Sequence, residues 1–202
     1  MPHAPRLIRT ALAVSLLVAL SGCTSVGLGA PLASGGGGGD TAPGAQGGSG
    51  AITDAGQLTD DDGYIADGSS LTLDNDLPAV QRLNPALLDA LRAADDAAEQ
   101  RGTELTIADG WRSERYQAYL FAQAVEQYGS EEEASRWVKR GADSEHVSGD
   151  AVDIATADGV DFLNRFGAEW GLCQAYANEA WHFELLTEPG GECPAPAADG
   201  RG

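Results

Sequence analysis

Apolar residues first occur as a nearly unbroken run, Ala11 to Leu20, behind Arg6 and Arg9 and ahead of small residues that end at Cys23. From Thr24 to about Gln57 large apolar residues almost vanish and glycine dominates. Helical periodicity begins in LNPALLDALRAADDAAEQRG, where Leu87, Leu88, Leu91, Ala94 and Ala98 fall on one stripe. Asn84 is placed to cap this helix, Pro85 takes its first position and Gly102 stands past its end. Glu104 to Ala108 predicts a short strand. A second helix is predicted from Ser113 to about Gln127, turning Tyr116, Leu120, Ala124 and Val125 inward. Ser130 with Glu133 forms a capping-box pattern for a third helix through Lys139. Ala151 to Ala155 predicts a strand, Gly159 to Trp170 a helix and Trp181 to Leu186 a last strand. Helices and short strands mingle without regular βαβ alternation, so the expected class is α+β. No internal repeat is visible.

The first segment has the layout of a secretory signal: a basic start, a short apolar stretch and a small-residue cleavage site. The apolar stretch is too short to span a bilayer. Leu20-Ser21-Gly22-Cys23 resembles the bacterial lipobox, which implies a lipid on Cys23 and an anchored chain on the extracytoplasmic side of the bacterial cell membrane. Residues 1–22 are thus expected to be the signal, 23–57 a flexible Gly-rich tether, 58–194 the folded domain and 195–202 a disordered tail. If Cys23 carries lipid, Cys173 and Cys193 remain, and an exported compartment permits a disulfide between them. Metal binding by one of them is the alternative. The chain has 31 acidic against 12 basic residues, net charge −19. Such acidity disfavours nucleic acid as a partner; a monomer is expected.

Chemistry-bearing residues are few. Asp60-Asp61-Asp62-Gly63 suggests calcium, but with Gly63 as the sixth loop position the first falls on Leu58, which cannot ligate, so the run is expected to be a solvated turn. No HExxH helix is present. Beyond His3, the chain has only His146 and His182, each close to acids. A catalytic zinc site takes three such ligands and leaves a position open. His146 and Asp153 can supply two, with Gly149 letting the chain turn between them, and His182 the third. Glu179, three residues before His182, suits the general base that metal-assisted hydrolysis needs.

Ser144-x-His146-x-x-Gly149-x-Ala151-x-Asp153 and Glu179-x-Trp181-His182 resemble the two signatures of zinc D-Ala-D-Ala carboxypeptidases and dipeptidases of the VanY type, which share the Hedgehog/DD-peptidase fold. Asp109-Gly110-Trp111-Arg112-Ser113 with Gln117 is similar to a third element of that family, and the likeness runs from about Leu77 to Leu186. The resemblance implies a short antiparallel sheet with helices packed around it. It also implies one zinc ion on His146, Asp153 and His182, with Glu179 as catalytic base. Arg112 would steady the substrate and the developing oxyanion, Ser144 would lie near the substrate's terminal carboxylate, Gln117 and Trp181 would contribute to substrate binding, and Trp181 would pack beside the metal and orient His182, a purely structural role for it being the alternative.

The chain departs from the family pattern at Gly141-Ala142-Asp143, at Val147-Ser148 and at Asp150, which alters the expected cleft rim without removing a ligand. The reading is a zinc-dependent D-Ala-D-Ala carboxypeptidase that cuts peptidoglycan stem peptides ending in D-Ala by attack of a zinc-activated water. Two other readings stay open. One is an L,D- or D,D-endopeptidase or D,D-dipeptidase of the same fold; the other is a non-catalytic wall-binding lipoprotein.

Overall fold

The computed structural model describes residues 58–201. The expected signal 1–22, the lipidated Cys23 and the tether 23–57 lie outside the described residues. The elements are β1 (Leu71–Thr72), α1 (Pro78–Gln81), α2 (Pro85–Glu99), β2 (Thr106–Asp109), α3 (Glu114–Tyr128), α4 (Glu131–Ala134), α5 (Glu145–Ser148), β3 (Ala151–Ile154), α6 (Ala157–Phe166), β4 (Leu172–Tyr176) and β5 (Glu179–Leu185). The strands form one sheet in the order β1-β2-β3-β5-β4, with every neighbouring pair antiparallel. This is the α+β class expected.

Helix α2 forms as its pattern predicts. The Asn84 side chain accepts a hydrogen bond from the Ala86 N–H at 3.0 Å, and Leu87, Leu88, Leu91, Ala94 and Ala98 are buried. They pack in one cluster with Leu105, Ile107, Val152, Ile154 and Phe183 of the sheet region and with Phe162 and Leu163 of α6. Each such large side chain contributes about 1.5–3 kcal/mol by leaving water. Val152 stands opposite Phe183 on this core face, so their neighbours Asp153 and His182, also paired, project from the other face.

The predicted third helix is only one turn long. Ser130 Oγ does accept from the Glu133 N–H at 3.2 Å, but the next turn tightens, with the Arg136 N–H bonding Glu133 O at 3.2 Å and the Trp137 N–H bonding Ala134 O at 3.0 Å. Arg136 O accepts from Asn178 Nδ2 at 2.9 Å and from the Gly200 N–H at 3.1 Å, and Lys139 O accepts from Gln117 Nε2 at 2.7 Å. Tertiary partners thus turn residues 136–139 toward the sheet. The predicted helix 159–170 begins earlier, under a Thr156 cap, and gives way to a 3-10 turn at Gly167–Trp170. There a Cβ on Gly167 would lie 2.6 Å from Leu172 O. Strand β4 and the short helix α5 had no pattern long enough to announce them.

Two expectations are corrected. The run at residues 60–62 is a solvated turn only in part, because Asp62 is buried. Its carboxylate accepts from Ser113 Oγ at 2.8 Å, from the Thr59 N–H at 3.1 Å and from Arg115. The Arg115 hydrogen bond is the main cause that lowers its pKa to about 2. Residues 195–201, expected to be a disordered tail, are packed: Ala197 bridges Tyr176 at the edge of β4, and Asp199 is buried against Arg136 and Arg201. Backbone donors and a carboxylate that sequence left unassigned find partners here.

Cys173 and Cys193 form a disulfide. Closing a loop over a sequence separation of 20 contributes about 3 kcal/mol in the chain-entropy model. Replacing both cysteines by serine is therefore expected to lower the thermal midpoint by roughly 10 °C in calorimetry. An unchanged midpoint would show that the bond does not constrain the domain.

Candidate active site

A row of residues across the sheet builds the site. Asp109 of β2 stands opposite Asp153 of β3, after a register shift in β2, and Asp153 stands opposite His182 of β5. The remaining group, His146, comes from α5. Three bonds fix that helix to the loop after β2. His146 Nδ1 donates to Gly110 O at 2.7 Å, the Arg112 N–H donates to His146 O at 3.0 Å, and Trp111 Nε1 donates to Val147 O at 3.1 Å. The two sequence elements around residues 109–113 and 144–153 are therefore one structural unit.

Glycine is required twice in it. Gly149, at φ +83, ends α5, and a Cβ there would meet Arg82 O at 2.5 Å. A Cβ on Gly110 would meet Ala79 O at 2.1 Å. Asp150, one of the departures from the family pattern, accepts from Asn84 Nδ2 at 2.9 Å and so ties this turn to the start of α2.

His146 Nε2, His182 Nδ1 and Asp153 Oδ1 form a triangle with sides of 3.2, 3.2 and 3.4 Å. Tetrahedral zinc with bonds of about 2.0–2.1 Å would place its ligand atoms ~3.3–3.4 Å apart, so the donor set fits the ion. The tautomers fit as well. His146 spends Nδ1 on Gly110 O and His182 spends Nε2 on Glu184 Oε1 at 2.9 Å, leaving the other nitrogen of each ring for the metal. All three residues are buried.

Glu179 is also buried and outside the triangle, with Oε2 3.9 Å from His182 Nδ1. Burial pushes its carboxyl up to about 7, against the opposing pull of His182. Burial would raise Asp153 too, but His146, His182 and Arg112 together hold it well below the usual carboxylate range. His182 is driven down by burial, yet hydrogen bonds to Asp153 and Glu184 prevail and raise it to about 9.

The other expected site residues are placed with differing results. Arg112 is buried, with Nη2 at 2.9 Å from Asp153 Oδ2 and 3.0 Å from Asp109 Oδ2, so its first partners are the ligand carboxylate and its neighbour. Gln117 lines the cleft, but Oε1 accepts from Arg112 Nη1 at 3.3 Å and Nε2 is bound to Lys139 O, so the amide holds protein groups. Ser144 is buried, lines the cleft and does not use its hydroxyl to cap α5. Trp181 is 43% exposed at the rim of the cleft that His182 lines, and it makes no hydrogen bond or ring contact with that imidazole. Glu184 and the Tyr176 ring, 5.0 Å from the His182 ring, orient that imidazole instead. Glu184 was legible as the same-face neighbour two residues on from His182; Tyr176 was not.

Residues 80–183 match the family model described as VanY, D-alanyl-D-alanine carboxypeptidase. The chain belongs to this family. It is accordingly a metallopeptidase, and zinc is the metal that its donor set accommodates. No curated protein matches the chain. Among solved structures, it is 23% identical to the vancomycin-resistance D,D-pentapeptidase VanY of a VanB-type cassette in complex with Zn(II), covering 57% of this chain and 77% of that one, TM-score 0.49. It is 23% identical to VanYB in complex with D-alanine-D-alanine, covering 50% and 70%, TM-score 0.47. It is 25% identical to the L,D-carboxypeptidase DacB of Streptococcus pneumoniae, covering 50% and 65%, TM-score 0.41.

A proton on His182 Nδ1 occupies the position that the metal takes, so binding must release it. With His182 raised to about 9, zinc affinity is expected to climb roughly tenfold per pH unit toward pH 9 and then level off, as read by chelator competition. In the metal-free domain the His182 contribution to stability is present below its ordinary 6.5 and lost as pH rises through about 9. Glu179, raised from 4.5 to about 7, favours the folded state while protonated, and that preference is full below 4.5 and lost as pH rises through about 7. Zinc affinity independent of pH between 6 and 9 would contradict this placement of the proton.

Proposed function

We propose that the protein is a zinc-dependent carboxypeptidase that removes the terminal D-Ala from peptidoglycan stem peptides. The observation that carries this reading is a buried carboxyl, Glu179, held near neutrality and 3.9 Å from a metal-facing nitrogen without belonging to the donor triangle. A protein that only bound metal or wall peptide would have no use for such a base. The cleft, about 190 Å³, is small enough to suit a peptide terminus.

His146, Asp153 and His182 would hold the zinc, which supplies Lewis acidity to water and to a scissile carbonyl. Glu179 takes a proton from the attacking water and passes it to the leaving amine, two tasks that favour a pKa near the working pH. Arg112 keeps its charge throughout, raised by Asp109 and Asp153 despite the opposing effect of burial. From the cleft wall it offsets negative charge that develops on the carbonyl oxygen. Asp153 and Gln117 hold its guanidinium in place, and Ser144 offers a hydroxyl to the substrate.

Glu179→Gln is expected to lower kcat by about 10²–10⁴-fold on a D-Ala-D-Ala-ending pentapeptide, with zinc content unchanged and products weighed by mass spectrometry. Full activity in this variant would overturn the mechanism. If the wild-type protein cleaved a crosslinked dimer in preference to the pentapeptide, the enzyme would be an endopeptidase.

We further infer that the domain works outside the cytoplasm, monomeric and held to the membrane by a lipid on Cys23. The lipobox-like Leu20-Ser21-Gly22-Cys23 and a disulfide that suits an oxidising compartment support this. Cys23→Ser is expected to abolish metabolic labelling with a fatty acid and to release the protein from membranes. Continued labelling of that variant would remove Cys23 as the anchor.

A further inference from the structure

Two cations, Arg112 and Lys139, line the cleft and face different partners. Arg112 shares Nη2 between two carboxylates and gives Nη1 to Gln117. Lys139 lies on the wall that also carries Trp137 and Val138. Its ammonium group has three N–H donors. One reaches Glu145 Oε1 at 2.6 Å, and the ammonium group lies 5.2 Å from the centre of the Tyr176 ring, which leaves N–H donors for a ligand. At the backbone end its carbonyl is fixed by Gln117 Nε2, and the side chain remains 26% exposed. Beside its partner Glu145 stands Ser144, with a buried hydroxyl that its own helix does not use.

The remaining charges in the cleft oppose an anion. Asp109, Glu145, Asp153 and Glu179 all line it. A peptide ending in a free carboxylate brings one more negative charge, and like charges in a site of reduced dielectric repel strongly. Bound zinc would offset the carboxylate of its own donor set, and Arg112 turns Nη2 to Asp109 and Asp153. Lys139 supplies a further cation on the part of the wall that carries Glu145 and Ser144, within reach of a substrate's terminal carboxylate.

We propose that Lys139, with Ser144 beside it, binds the substrate's C-terminal carboxylate and so makes this site select chain ends over internal peptide bonds. The inference rests on the carboxypeptidase reading and adds the residue that sets its specificity. Glu145 positions the ammonium group and competes with the substrate for it.

The test compares a D-Ala-D-Ala-ending peptide with the same peptide capped as its C-terminal carboxamide, using zinc-loaded protein. The wild type is expected to favour the free acid by at least tenfold in kcat/KM. In Lys139→Met the KM for the acid should rise about tenfold while kcat changes by less than threefold and the carboxamide is cut as before, so that the preference collapses. Lys139→Arg should restore it. Glu145→Gln, which removes the competing carboxylate, should lower the KM for the acid by severalfold, a gain that misfolding cannot produce. Equal losses on both peptides in Lys139→Met, or a preference that survives it, would overturn the proposal. An unchanged or higher KM for the acid in Glu145→Gln would do the same. Should the wild type cut neither peptide, the carboxypeptidase reading fails. Calorimetric binding of D-Ala-D-Ala and its carboxamide to the zinc-loaded wild type and Lys139→Met then decides carboxylate selection by itself.

Discussion

Asp153 is a buried carboxylate whose two oxygens have separate partners, and the rest of the site is arranged around that division. Oδ1 completes the triangle with His146 and His182, while Oδ2 receives Arg112. An isolated carboxylate in this position would be protonated to escape the cost of burial. Two imidazoles and a guanidinium keep it ionised, which a metal ligand must be. Arg112 itself is tolerable at this depth because Asp109 and Asp153 both face it. Ligand and counter-ion stabilise each other.

That arrangement constrains the fold at several remote points. The antiparallel register must bring Asp109, Asp153 and His182 into one row, and a slip of one residue in β5 would send His182 into the core in place of Phe183. The loop after β2 must approach α1 and α5 closely enough that Gly110 and Gly149 have no room for a side chain. The large apolar cluster under the sheet gives this row a rigid floor. The smaller cluster of Phe121, Ala124 and Ala134 supports the wall that carries Lys139.

Electrostatics separate the cleft from the acidic surface around it. The chain's net charge of −19 would repel an anionic peptide, so local cations have to reverse the sign. Burial then divides similar groups into different roles: Asp153 is held ionised by its neighbours, whereas Glu179, with weaker compensation, is left near neutrality. Two carboxyls about one metal position thus become a ligand and a base.

The sequence by itself determined the local elements whose periodicity was long enough to register, above all α2, α3 and β3. It also determined the identity of the chemistry, because two histidines in an acidic chain stand in motifs whose spacing demands a strand and a tight turn. Only tertiary structure decided what depends on partners distant along the chain. The course of the chain after α4 is fixed by Asn178, Gly200 and Gln117, which hold the Arg136 and Lys139 carbonyls, and the order of residues 195–201 by an edge strand and two arginines. Asp62 belongs to α3 rather than to solvent because Ser113 and Arg115 reach it. Glu184 orients His182 because strand parity in β5, once registered against β3, puts both on the face opposite Phe183. Spacing along a chain fixes which side chains can share a face; which groups meet across the fold is set by packing.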